Sequence, residues 1–141
     1  MIEPKNYSFD ELEVGMKESF ELKVTESMIN EFAKASGDYN PLHIDDDFAM
    51  KTKFKKKICH GMLLVSFFSR LIGMHLPGKN SLYFSHSLNF IEPCYVDDRI
   101  YILGELIDKS DATKILTIKT TIQNDSGKIL VDGIAKVIFL E

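Results

Sequence analysis

A carboxylate and an imidazole lie five residues apart in the segment SGDYNPLH, where Asp38 precedes and His43 follows the dipeptide Asn40-Pro41. The residue before a proline is disfavoured in a helix, so we expect the chain to turn here and direct both side chains towards one point. A paired aspartate and histidine can hold one water molecule and transfer protons in both directions near neutral pH. The alternative is that Asp38 only stabilises the turn through an Asx hydrogen bond and that His43 is an ordinary surface residue.

The dipeptide His60-Gly61 is a second candidate, because it opens an apolar segment. The first turn of a helix exposes N–H groups that lack an intrahelical acceptor and carry a partial positive charge. A glycine there lets a ligand carbonyl approach the backbone, where the Gly61 amide could stabilise a developing oxyanion. The simpler interpretation makes Gly61 a tight entry to the helix and His60 a capping or packing residue.

Two serines, Ser66 and Ser69, interrupt this apolar segment three residues apart. Buried hydroxyl groups need hydrogen-bond partners. The usual partner is the backbone carbonyl one turn earlier in the helix. The alternative is that one of the two serines reaches the Asp38 loop and holds it in place.

The remaining chemical groups give weaker signals. Five lysines lie between residues 51 and 57, which is typical of a solvated loop but also fits a site for the phosphates of a carrier molecule. We discount a Cys59–His60 nucleophile, because neighbouring side chains diverge and nothing indicates a stabilised thiolate. His75 and His86 share no metal-ligand spacing with the other histidines, so no metal site is predicted.

Hydrophobic periodicity predicts the elements that position these groups. Residues 17–24 alternate as a strand does, and a helix is predicted to follow between the N-cap Thr25 and Gly37. Residues 61–74 are apolar on nearly every side, which predicts a buried helix. Four β-branched and aromatic runs then indicate strands, namely SLYFSHSLNFIEP, RIYILGELID, ATKILTIKTTIQN and KILVDGIAKVIFL.

Four consecutive strands without an intervening helix must pair largely antiparallel, because a parallel crossover needs a dozen or more connecting residues. An apolar helix is hidden most simply by a curled antiparallel sheet that wraps round it. We therefore predict an α+β fold with a long buried central helix. No repeat or linker indicates a boundary, so residues 1–141 are predicted to form a single domain.

Length, charge and composition argue against several classes of protein. The chain has 141 residues and a formal net charge of −4, which disfavours nucleic acid as the main partner. Two cysteines are too few for a disulfide framework or a zinc ribbon. The sequence starts with a polar segment, and its most apolar stretch, residues 62–74, is shorter than the ~18–20 residues of a membrane span. We therefore expect a cytoplasmic protein without a membrane partner.

Residues 32–49, FAKASGDYNPLHIDDDFA, resemble the hydratase motif of the MaoC-like (R)-specific enoyl-CoA hydratases. The run that begins HGMLLVSFFSRLIGM at His60 resembles the same family at the expected distance. The resemblance implies a hot-dog fold, in which the sheet wraps round the central helix. It also implies a homodimer with an acyl-pantetheine tunnel at the subunit interface, and no cofactor beyond the coenzyme A or acyl carrier of the substrate.

The family reaction is the reversible syn hydration of a trans-2-enoyl thioester to the (R)-3-hydroxyacyl thioester. By resemblance, Asp38 and His43 form the catalytic pair that activates water, with Asp38 favoured as the base. The Gly61 amide would hold the thioester oxygen, Ser69 would support the Asp38 loop, and Asn40 would organise that loop or contact the water. The residues assigned to oxyanion and substrate binding are thus Gly61, Asn40, Ser69 and His60.

Three alternative functions fit the same residues less directly. A (3R)-hydroxyacyl-[acyl-carrier-protein] dehydratase of fatty-acid synthesis would use the same chemistry on a carrier with an acidic surface. A hot-dog thioesterase would direct water to the thioester carbonyl instead of C3 and would release a free thiol. A non-catalytic acyl-thioester sensor would bind such molecules without turnover and would not need Asp38.

Overall fold

The computed structural model describes residues 2–141, and its framework is a five-stranded sheet in the order β1-β3-β4-β5-β2. Every neighbouring pair of strands is antiparallel, which confirms the predicted pairing. The strand that follows the central helix in the sequence, β2, lies at one edge and pairs with β5, so residues 91–98 carry the chain away from that edge to β3. The strands are β1 (Lys17–Lys23), β2 (Ser81–Phe90), β3 (Arg99–Lys109), β4 (Ile115–Asn124) and β5 (Ile129–Phe139).

The first helix, α1 (Glu26–Ser36), begins and ends where the sequence predicts. The Thr25 side chain accepts a hydrogen bond from the Met28 backbone N–H at 3.2 Å and thereby caps the first turn. Gly37 ends the helix in the left-handed conformation, with φ at 80°, which a residue with a Cβ rarely adopts. The helix therefore ends one residue before Asp38.

Two short helices that the pattern did not predict follow, α2 (Pro41–Ile44) and α3 (Asp46–Met50). The Asn40 side chain accepts a hydrogen bond from the Leu42 N–H at 3.0 Å. A proline at the first helical position costs the helix no hydrogen bond, because a backbone N–H there has no intrahelical acceptor. The dipeptide Asn40-Pro41 therefore starts a helix, and the turn expected as far as His43 ends at residue 40.

The central helix, α4 (Gly61–Arg70), continues into a π-helical turn, Leu71–His75. This confirms the helix predicted over residues 61–74. Phe68, Leu71 and Ile72 are fully buried. Burial of each such side chain stabilises the fold by about 1.5–3 kcal/mol, so the contact with the sheet sets the rotation of the helix about its axis.

The side of the central helix that faces away from the sheet is not covered within one chain. Met62, Ser66 and Ser69 follow one another on this side and are exposed. A single sheet can cover only one side of a helix, so the burial expected on nearly every side is not reached. No helix within residues 2–141 is long and apolar enough to cross a membrane.

A polar group is packed beneath the central helix at β2. The His86 ring lies 5.0 Å from the Phe68 ring, and its Nε2 lies 2.7 Å from the Thr120 hydroxyl oxygen. The Tyr83 hydroxyl hydrogen-bonds the other ring nitrogen. Burial lowers the pKa of His86 to about 4, so the ring is neutral near pH 7.

Gly133 marks the closest approach of β5 and β2. A Cβ there would lie 2.3 Å from the Ser87 carbonyl oxygen. We expect Gly133→Ala to lower the free energy of unfolding in urea by about 1–3 kcal/mol, because the two strand backbones must separate. Gly73→Ala is the control, since a Cβ in that helical position meets nothing within 4 Å. Equal losses of stability in both variants would contradict this explanation.

Candidate active site

Asp38 lies in the loop between α1 and α2 with its side chain exposed. Its Oδ1 accepts a hydrogen bond from the Asn40 N–H at 3.1 Å, so the Asx turn is formed. Its own N–H donates to the Ser36 hydroxyl oxygen at 3.1 Å. The turn uses one carboxylate oxygen, and the other makes no hydrogen bond with any residue in the range 2–141. The structural and the catalytic interpretations of Asp38 are therefore compatible.

His43 lies on α2 and is half-buried. Its Nδ1 is 2.8 Å from the carbonyl oxygen of Ile58. A carbonyl oxygen only accepts, so Nδ1 donates this hydrogen bond, and in the tautomer with a single ring proton Nε2 is unprotonated. The backbone thus orients the His43 ring and leaves Nε2 as the nitrogen available to a water molecule.

His60 is buried, with 2% of its surface exposed, and caps the start of α4. Its Nε2 donates to the Asp38 carbonyl oxygen at 3.0 Å. Its ring stacks on His43 with 4.0 Å between ring centroids and lies 4.9 Å from the Phe32 ring. His60 therefore ties the Asp38 loop to the central helix and supports the His43 ring from behind, as a packing residue would.

One carboxylate oxygen of Asp38 and one ring nitrogen each of His43 and His60 lie within 4.8 Å of one another. A water molecule with two ordinary hydrogen bonds joins atoms about 4.5 Å apart. The spacing therefore suits one water between Asp38 and His43. The three residues could also ligate a metal ion, although each histidine has one ring nitrogen occupied by a backbone carbonyl. That no metal is needed stays a prediction.

Gly61 begins α4 and lines a cavity of about 800 Å³ that His43 also lines. A Cβ at Gly61 would lie 2.7 Å from the Phe90 ring, so a larger residue requires that ring to move. As the first residue of the helix, Gly61 has an N–H without an intrahelical acceptor. An imidazole base and a free helix amide thus face one cavity.

The sequence did not identify the apolar walls of this cavity. Phe54 and Met62 line it near the helix start, and Phe90 and Ile91 line it from the end of β2. Phe90 is 55% exposed despite its contact with Gly61. Nothing in the sequence links residue 90 to residue 61, because only the curvature of the sheet brings them together.

The remaining polar residues considered for the site, Asn40, Ser66 and Ser69, differ in their hydrogen bonds. Asn40 organises the loop by capping α2. The Ser66 hydroxyl donates to the Leu63 carbonyl at 2.6 Å, which is the usual outcome for a helical serine. Ser69 is exposed and makes no hydrogen bond within residues 2–141. The predicted support of the Asp38 loop by Ser69 is therefore not formed inside one chain.

The two cysteines face the same cavity but are not arranged as a nucleophile. Both are buried free thiols, and the Cys59 N–H donates to the Cys94 carbonyl at 2.7 Å. The hydrogen bond with Cys59 and burial raise the pKa of the Cys94 thiol, which disfavours the thiolate. This agrees with the decision to discount cysteine chemistry.

Comparison with known proteins reveals relatives along most of the chain. The (R)-specific enoyl-CoA hydratase of Aeromonas caviae is 40% identical over 130 residues, which cover 92% of this chain and 97% of that protein. A mitochondrial 3-hydroxyacyl-[acyl-carrier-protein] dehydratase of Arabidopsis thaliana is 35% identical over 113 residues, covering 78% of this chain and 67% of the plant protein.

Solved structures agree with the fold described above. The Aeromonas caviae (R)-hydratase involved in PHA biosynthesis superimposes with a TM-score of 0.88 over 91% of this chain and 97% of its own. An unliganded R-hydratase from Pseudomonas aeruginosa, 34% identical, gives a TM-score of 0.89 over 94% of this chain and 85% of its own. The predicted hot-dog fold is confirmed. Because the MaoC like domain matches residues 10–127, from before β1 to the turn that follows β4, the chain belongs to the MaoC-like family.

Proposed function

We propose that the protein is an (R)-specific enoyl-CoA hydratase that adds water reversibly to a trans-2-enoyl thioester and forms the (R)-3-hydroxyacyl thioester. The observation that carries this proposal is that a carboxylate oxygen of Asp38 lies within 4.8 Å of a ring nitrogen of His43. Nδ1 of His43 is bound to the Ile58 carbonyl, and His43 lines the same cavity as Gly61. The curated relatives named for this activity support the proposal.

The catalytic water binds between the two side chains and donates one hydrogen to each. As the water oxygen bonds to C3, Asp38 removes one of its protons, and the electrons of the C2–C3 double bond move towards the thioester carbonyl. In the tautomer set by the Ile58 carbonyl, Nε2 of His43 carries no proton of its own. The proton that reaches C2 is therefore the one removed from the water and returned by the pair.

The Gly61 N–H stabilises the negative charge that develops on the thioester oxygen during this step. The amide points out of the first turn of α4, where the helix dipole adds partial positive charge. Because residue 61 has no Cβ, the Phe90 ring packs directly against the backbone of the helix start, and a Cβ there would lie 2.7 Å from that ring. Loss of one such donor in an enzyme costs about 10²–10³ in rate, so the choice of residue here matters.

The proposed reaction uses no dissociable cofactor, since water supplies both the oxygen and the hydrogen that are added. That no metal ion takes part stays a prediction. Coenzyme A is the proposed carrier of the acyl group, and an acyl carrier protein is the alternative. The expected cytoplasmic location and the lack of nucleic-acid and membrane partners stay predictions.

We also propose that two copies form a homodimer through β2. This strand is at the edge of the sheet, and its backbone groups on one side pair with no strand within residues 2–141. It exposes the apolar side chains Leu82, Tyr83 and Phe84. An exposed apolar edge strand favours pairing with another chain, and a second copy would also cover the exposed side of α4.

Asp38→Asn tests the proposed base, because Asn retains a side-chain oxygen for the Asx turn but cannot remove a proton from water. We expect turnover of crotonyl-CoA to fall by about 10²–10⁴-fold. The assay follows the loss of enoyl-thioester absorbance and determines the chirality of the product. Asp47→Asn is the matched control, since Asp47 lies exposed on α3 and forms no ion pair within residues 2–141.

Other outcomes of this assay would replace the proposal. Release of free coenzyme A without hydration would identify a thioesterase. Binding of acyl-CoA without any turnover by the unaltered protein would identify a sensor. Full activity of Asp38→Asn would remove Asp38 from the mechanism.

Gly61→Ala tests the oxyanion site. We expect kcat/KM for crotonyl-CoA to fall by about 10²–10³-fold, because the added methyl group would overlap the Phe90 ring and the helix start must shift to relieve the overlap, which moves the amide away from the thioester oxygen. Phe90→Leu is the control for a disturbed aromatic wall and should reduce kcat/KM far less. Normal activity of Gly61→Ala would show that the amide is not used.

Sedimentation velocity tests the dimer. We expect the unaltered protein to sediment as a dimer and Phe84→Lys to sediment as a monomer, because a lysine on the paired edge would be buried without a partner. Ile107→Lys on β3 is the control, since Ile107 is an exposed apolar residue on a strand that already has two neighbours. A monomeric unaltered protein would refute the proposal.

A further inference from the structure

The segment between α3 and Ile58, residues 51–57, carries five lysines in an acidic chain. One of them has a structural role. Lys57 is buried and binds Glu26, with an Asp46 carboxylate oxygen 3.7 Å away. The hydrogen bond to Glu26 raises the pKa of Lys57, so its charge is retained. Lys57 therefore anchors the segment and is not available to a ligand.

The other four lysines are exposed. No carboxylate within residues 2–141 forms an ion pair with any of them. Lys53 lines the same cavity as His43 and Gly61. The Lys56 ammonium lies 4.9 Å from the centre of the Tyr95 ring, and residue 94 belongs to the cavity wall. Unpaired positive charge thus stands beside the proposed acyl site.

The segment is held in an ordered conformation by its own backbone. The Thr52 hydroxyl donates to the Ala49 carbonyl at 2.6 Å and accepts from the Phe54 N–H at 3.2 Å. The Lys55 N–H donates to the Thr52 carbonyl at 3.2 Å. Lys55 adopts a left-handed conformation with φ at 66°, which glycine or asparagine would adopt more readily. Lys55 therefore occupies a position whose left-handed backbone conformation favours glycine or asparagine.

We propose that Lys53, assisted by Lys55 and Lys56, binds the nucleotide phosphates of the coenzyme A part of the substrate. This inference rests on the proposed function, because an enoyl thioester held at Gly61 extends its carrier through the same cavity. Lysine binds phosphate as a mobile point charge, and clustered positive charge raises the local concentration of an anionic substrate. The site determines preference for the carrier, not the chemistry at C3.

Neighbouring charges favour coenzyme A over an acidic carrier protein as the occupant. Asp45, Asp46 and Asp47 are exposed at the start of α3, immediately before the lysine segment. A broad acidic protein surface would meet these carboxylates together with the lysines, whereas a compact nucleotide can contact the lysines alone. A protein interface covers about 800 Å² on each side, so it could not avoid them.

Substitution of Glu92 should change the KM for crotonyl-CoA in the opposite direction to substitution of the lysines. Glu92 is the carboxylate among the residues that line the cavity, and it forms no ion pair with a lysine of the segment within residues 2–141. A carboxylate near the phosphates of coenzyme A repels them. Glu92→Gln should therefore lower the KM for crotonyl-CoA, while substitutions of the lysines raise it.

The decisive experiment compares two thioesters that differ only in the nucleotide, crotonyl-CoA and crotonyl-pantetheine. For Lys53→Gln/Lys56→Gln we expect the KM for crotonyl-CoA to rise about tenfold, with kcat unchanged. The KM for crotonyl-pantetheine should stay as in the unaltered protein. Lys79→Gln/Lys128→Gln, which alters two exposed lysines that do not line the cavity, is the control for loss of two positive charges.

Three results would overturn the inference. Equal increases in KM for both thioesters would mean that the lysines shape the cavity without contacting phosphate. Unchanged KM values for both would mean that the nucleotide lies elsewhere. An increase for crotonyl-[acyl-carrier-protein] without one for crotonyl-CoA would identify the carrier protein as the occupant.

Calorimetric titration separates failure of this inference from failure of the proposed function. Free coenzyme A and free pantetheine are titrated into the unaltered protein and into Lys53→Gln/Lys56→Gln, so no turnover is required. Weaker binding of coenzyme A alone in the variant would support the phosphate site even if hydration were not observed. Equal affinity of both proteins for coenzyme A would refute it even if hydration were confirmed.

Discussion

The packing of the central helix against the sheet is the constraint on which the rest of the structure depends. Phe68, Leu71 and Ile72 are fully buried, so the helix can neither rotate nor slide without exposing apolar surface. This contact sets the position of the first turn, where Gly61 lies against the Phe90 ring. The proposed oxyanion donor, the Gly61 amide, is therefore positioned by apolar packing several residues further along the helix.

His60 connects the helix start to the Asp38 loop. Its ring donates to the Asp38 carbonyl and stacks on His43, so one buried side chain contacts both members of the proposed catalytic pair. The arrangement leaves Nδ1 of His60 buried without a hydrogen-bond partner within residues 2–141. An unsatisfied buried polar atom costs about 1–3 kcal/mol, which ring packing and the hydrogen bond from Nε2 help to offset. The backbone carbonyls at residues 38 and 58 also determine which nitrogen of each ring carries the proton.

Two polar segments lie near the cavity, the Asp38 loop and the lysine segment of residues 51–57, and each carries a different kind of charged group. The Asp38 loop carries the carboxylate that we propose binds the water, and its Asx turn leaves one carboxylate oxygen unused by the fold. The lysine segment is anchored by Lys57, while its exposed members carry charge that the fold does not need. Loops of this kind can change without disturbing the core, so carrier preference and acyl chemistry can vary separately on one scaffold.

Local patterns in the sequence were enough to predict the strands, the helices α1 and α4, the antiparallel sheet and the two dipeptides at the site, but not the short helices α2 and α3. Caps, strand alternation and the Asn40-Pro41 turn act over a few residues, so Thr25, Gly37 and Gly61 could be interpreted directly. The tertiary structure decided which side of the central helix is covered, how His60 joins Asp38 to His43, and that Phe90 forms a wall beside Gly61. These contacts join residues 17 to 29 positions apart in the sequence. No local pattern records them, and the contact between Gly61 and Phe90 depends in addition on the curvature of the sheet.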